Sequence, residues 1–68
     1  MQEFTDHDLD ILSRAYYRAL AKAAAKTRDL EAMKSVLLDT IVSAARDGER
    51  DERLLEACGL AALRNRPA

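Results

Sequence analysis

Apolar residues return every three or four positions along three stretches of the chain, and this helical period predicts an all-α fold. Leu9, Leu12, Tyr16, Ala19, Leu20 and Ala23 share one face of the first stretch. Leu30, Met33, Leu37, Ile41 and Ala44 do so in the second, and Leu54, Leu55, Cys58, Ala61 and Ala62 in the third. The polar residues between the stretches are types that start and stop helices. Thr5 suits an N-cap, and Asp8 three residues later suits the reciprocal half of a capping box. Phe4 and Leu9 flank that cap where a hydrophobic staple forms, and Asp6 and Asp8 put negative charge at the positive end of the helix dipole. Asp47-Gly48 offers a C′ glycine able to take positive φ. Asp51 caps the third helix, and Asn65 and Pro67 stop it. The elements expected are helix 1 over about 6–26, helix 2 over about 29–46 and helix 3 over about 51–64.

The join between the first two helices has two readings. Positions 9, 16, 23, 30, 37 and 44 keep one seven-residue phase with no Gly or Pro between them, which allows a single long helix. Thr27 and Asp29, however, are better caps than helix-interior residues. Lys26, Thr40 and Asp47 also fall where a coiled-coil seam needs apolar side chains. A break is preferred. Helices 1 and 2 then form an antiparallel hairpin with helix 3 packed across it, a three-helix unit.

Composition narrows this picture. The 68 residues form one helical domain, 1–68, and although 49% are hydrophobic, 13 are alanines that bury little area, so a solitary core is thin. A net charge of −1 provides no global attraction to DNA or to a membrane. No long apolar run is present, so neither a signal peptide nor a membrane span is expected. The one cysteine excludes an intrachain disulfide, and a free thiol fits a cytoplasmic protein.

Catalytic chemistry has little to draw on. His7, the only histidine, sits in an acidic first turn and reads as an exposed surface residue rather than a ligand. Cys58 has no partner in a motif and reads as a small buried hydrophobe. Neither a glycine-rich phosphate loop nor a nucleophile–histidine–acid spacing occurs. The chain is expected to be non-enzymatic, with no cofactor and no metal. The Ala44–Gly48–Leu54 spacing resembles a helix-turn-helix only superficially, because Asp51, Glu52 and Glu56 would present acids to phosphate and base acceptors.

Charge order says more than charge total. Arg14, Arg18, Lys22 and Lys26, each four apart, form a basic ridge on helix 1, and like charges at that spacing cost an isolated helix roughly 0.2–0.5 kcal/mol per pair. One reading is a solvated face; another is a docking ridge for an acidic protein surface. Apolar residues also lie off the main stripes: Leu60 and Leu63 on helix 3, Val36, Leu38 and Val42 on helix 2, Ile11 and Tyr17 on helix 1. A helix apolar on several sides is buried on several sides or meets a partner.

These features point to a small protein–protein interaction module, with Leu60, Leu63, Val36, Leu38, Val42 and the ridge residues Arg14, Arg18, Lys22 and Lys26 as the partner-binding set. In size and make-up the chain is similar to small helical bacterial regulators that bind and silence a transcription activator, such as quorum-sensing antiactivators. That similarity implies a protein partner, a transcription regulator, and carries over no individual residue. A nucleic-acid binder using the basic ridge and a structural homodimer are the alternatives.

Overall fold

The computed structural model describes residues 4–25 and 29–65 and contains three helices: α1 (Asp6–Ala24), α2 (Leu30–Arg46) and α3 (Glu52–Arg64). The break expected between the first two helices is present, since α1 ends at its C-cap Ala25 and α2 begins from its N-cap Asp29; Thr27 itself lies outside the described residues. Asp29 accepts from the backbone N–H of Ala32 at 3.1 Å, satisfying a donor that a helix start otherwise leaves open.

The other boundaries have equally local causes. Thr5 and Asp8 form a complete capping box, each side chain accepting from the other's backbone N–H at 3.1 Å. Gly48, at φ 108°, closes α2 in a Schellman arrangement: its N–H donates to the Ala45 carbonyl at 3.0 Å, and that of Glu49 to Ala44 at 3.1 Å. Asp51 caps α3 by accepting from the N–H groups of Arg53 and Leu54. The two residues of the expected staple sit in different environments. Phe4 packs against the core beside Leu12 and lies under the Arg50 guanidinium, 5.2 Å from its ring centroid, while Leu9 stays half exposed.

Two apolar layers fix the topology. One joins Leu12 and Ala15 of α1, Ile41 and Ala45 of α2 and Leu55 of α3. The other joins Ala19, Met33 and Leu37, with Leu60 and Leu63 packed against them. The early part of α1 therefore meets the late part of α2, and the late part of α1 meets the early part of α2, so the two are antiparallel. The start of α3 lies in the first layer and its end in the second, which sets α3 antiparallel to α2 and against both helices. Small residues permit close approach: Ala15, Ala19 and Ala45 are fully buried, and a Cβ on Gly59 would stand 2.9 Å from Leu37 Cδ2 and 3.3 Å from Ile41 Cδ1.

Helix 3 is set differently from the sequence expectation. Leu54 and Cys58, expected inward, are exposed, whereas Leu55, Glu56 and Gly59 are buried. Leu60 and Leu63, expected on the outer flank, pack against the second layer instead. Their place in the fold is the margin of the core. On this face Gly59 lies against Leu37 and Ile41, and Glu56 meets Arg18 and Lys22 of α1.

Candidate functional site

The polar centre of the molecule is a carboxylate between α3 and α1. Glu56 is only 5% exposed, and both of its oxygens are engaged. Arg18 donates from Nε to Oε1 at 2.9 Å, and Lys22 donates from Nζ to Oε2. The same guanidinium reaches Glu52 at 3.7 Å through Nη1. The cations sit one turn apart on α1, so their side chains converge on one point of α3. The hydrogen bond and charge of Lys22, followed by those of Arg18, outweigh burial and hold the Glu56 carboxyl below its ordinary value of 4.5. No side-chain nitrogen or oxygen buried among the described residues lacks a hydrogen-bond partner.

A second polar tie joins the α2–α3 connection to the start of α1. Arg50 donates from Nε to Asp8 Oδ1 at 3.1 Å, and from Nη1 to the carbonyls of Ala45 and, at 2.9 Å, Glu49. Asp8 thus caps α1 and anchors the connection at once. The hydrogen bond from the Thr5 backbone, the largest influence, lowers the Asp8 carboxyl below 3.8; burial opposes it, and the Thr5 side chain and the Arg50 charge and hydrogen bond add to the lowering.

The sequence-derived candidates separate into distinct environments. The ridge is largely answered within the chain, since Arg18 and Lys22 bind Glu56 and Arg14 pairs with Asp10 at 2.7 Å. Lys26 lies outside the described residues. Of the apolar candidates, Leu60 and Leu63 line the core, Val36 and Val42 are half-buried, and Leu38 is 51% exposed. Among the described residues, the large apolar side chains most open to water are Tyr17, at 64% exposed, and Leu54, Leu38, Leu9 and Leu30, each about half exposed. Tyr17 stands edge-on to Tyr16, with ring centroids 5.3 Å apart, and Tyr16 in turn packs against both core layers. Sequence spacing marked Tyr17 as lying off the main stripe; nothing in it distinguished Glu56 from Glu52, the other acid of α3.

His7 is exposed, and among the described residues no group of three or more His, Cys, Asp and Glu side chains is placed to hold a metal ion. Among the same residues, no helix is long and apolar enough to cross a membrane. The chain matches no protein-family model, no curated protein and no solved structure.

Proposed function

We propose that this chain is a non-catalytic protein–protein interaction module, a regulator that acts by covering a site on its partner. The observation that carries the reading is the set of large apolar side chains left in water, led by Tyr17 and Leu38, in a chain with more apolar side chains than its three helices bury against one another. A tyrosine with its ring exposed on a rigid helix is a common anchor of protein interfaces, because its large surface is immobilised at small entropic cost. The partner is a protein such as a transcription activator, in line with the similarity to small helical antiactivators. The nucleic-acid alternative draws less support, because the Glu56 and Asp10 carboxylates already engage three ridge cations that phosphate would need.

The test compares the parent with Tyr17→Asp and Leu38→Asp in cross-linking within native cells, alongside sedimentation at micromolar concentration. Both substitutions are expected to keep full helicity and to remove a stoichiometric cross-linked partner that the parent retains. A strictly monomeric parent whose cross-links do not change with either substitution would overturn the reading. Salt-sensitive binding of random DNA by the parent, unaffected by Leu38→Asp, would transfer the function to the basic ridge.

A further inference from the structure

The rotational setting of α3 is the feature that apolar burial alone does not explain. This helix is apolar nearly all round, with Leu54, Leu55, Cys58, Leu60, Ala61, Ala62 and Leu63 in thirteen residues. Two faces of it can serve as an inward face. The observed one presents Leu55, Gly59 and Leu63, with Leu60 at its edge; it buries Glu56 and leaves Leu54 52% exposed and Cys58 open to solvent. The other presents Leu54, Leu55, Cys58, Ala61 and Ala62, the stripe that the hydrophobic period itself picks out. At about 100° per residue the two faces lie roughly 100° apart around the helix axis, with Leu55 common to both.

Burial is non-directional and discriminates poorly between faces of similar apolar content. The contacts of Glu56 are directional. Each oxygen is held by a cation projecting from α1, and a roll of α3 about its axis would carry the carboxylate away from both. We propose that Arg18, Lys22 and Glu56 form a latch that selects between two rotational seats of α3: the observed seat, and one rolled by roughly 100° in which Leu54 and Cys58 turn inward and Glu56 is released to water. The close approach of Gly59 to Leu37 and Ile41 supports the observed seat, and the latch decides it. Opening the latch exchanges the apolar surface that α3 shows to water, replacing Leu54 and Cys58 with Leu60 and Leu63.

Cys58, the only thiol, is a built-in reporter of the roll. The test is its labelling rate with a neutral maleimide under native conditions, measured with helicity by circular dichroism. Glu56→Lys sets a third cation against Arg18 and Lys22; labelling is expected to slow at least tenfold while helicity is retained. Adding Arg18→Glu and Lys22→Glu to that variant restores opposite charges and is expected to return labelling to the parent rate. Glu56→Leu, whose side chain suits the observed buried position, is expected to label as the parent does. A helical Glu56→Lys protein labelling at the parent rate would overturn the proposal. So would faster labelling with loss of helicity, because the second seat is required to be compact. Failure of the charge exchange to restore the parent rate counts against it equally.

Discussion

At Glu56, removing the carboxylate and removing its cations are different perturbations. Arg18 and Lys22 are more than half exposed, so water takes them back when Glu56 is replaced. Replacing both cations by alanine instead leaves the carboxylate without a partner where it is buried, which destabilises the observed seat of α3. The double change Arg18→Ala with Lys22→Ala is expected to cost more than Glu56→Gln, toward the low end of the ~3–5 kcal/mol typical of breaking a buried pair. Urea denaturation of the two variants checks the order. The acid sensitivity of the fold has a definite sign. A carboxyl whose folded value is depressed contributes stability above its unfolded value, and that contribution is lost as pH falls through the folded value. For Glu56 the loss sets in near 4.5 and extends below it; Asp8 adds its own from 3.8 downward. Glu56→Gln is expected to be less stable than the parent at neutral pH and to approach it at low pH, which denaturation midpoints at several pH values would reveal. Parallel curves would place the acid sensitivity elsewhere. Arg50→Ala removes a charge-assisted bond to Asp8 and the Nη1 bonds to the carbonyls of Ala45, in the last turn of α2, and of Glu49, and is expected to cost about 1–3 kcal/mol by the same measurement.

Among the elements, helix starts and stops are written into short stretches of chain, and their rotation is not. Thr5, Asp29 and Asp51 each act as caps within three residues of their acceptor or donor partners, so the three helix starts are legible from neighbours alone. Gly48 is legible for the same reason, because its backbone conformation is a local requirement. The inward face of α3 depends on groups 34 and 38 positions away, and no periodicity within α3 reports them. Glu56 reads in sequence like Glu52, the other acid of its helix, and Leu54 and Cys58 like core. Gly59 is hidden similarly, since a mid-helix glycine looks only like a weak helix former until Leu37 and Ile41 are seen against it. Gly59→Ala improves helix propensity by about 1 kcal/mol yet forces a methyl into a fully buried leucine. Overpacking of this kind costs about 1–3 kcal/mol, so net destabilisation is expected, visible as a lower denaturation midpoint. A stabilised Gly59→Ala protein would mean that the α2–α3 contact yields without strain.

For the whole molecule, the surplus of apolar side chains over burial sites was legible as a total but not as a location. Counting off-stripe residues pointed to Leu60 and Leu63, which the core takes up, while Leu54, on the main stripe, remains in water. Leu38 and Tyr17 are exposed as their off-stripe spacing suggested. The basic ridge was legible as a row of charges, yet the acidic surface it meets belongs to this same polypeptide.

The polar ties that lock the bundle also carry a consequence for its birth on the ribosome. Arg50 reaches back 42 positions to Asp8, and Glu56 reaches back to Arg18 and Lys22. A nascent hairpin of the first two helices has neither anchor, nor the Leu55 side chain that completes its first layer. Its exposed leucines must wait, unsecured, until α3 emerges, so the order of synthesis delivers the fastening after the two helices it fastens.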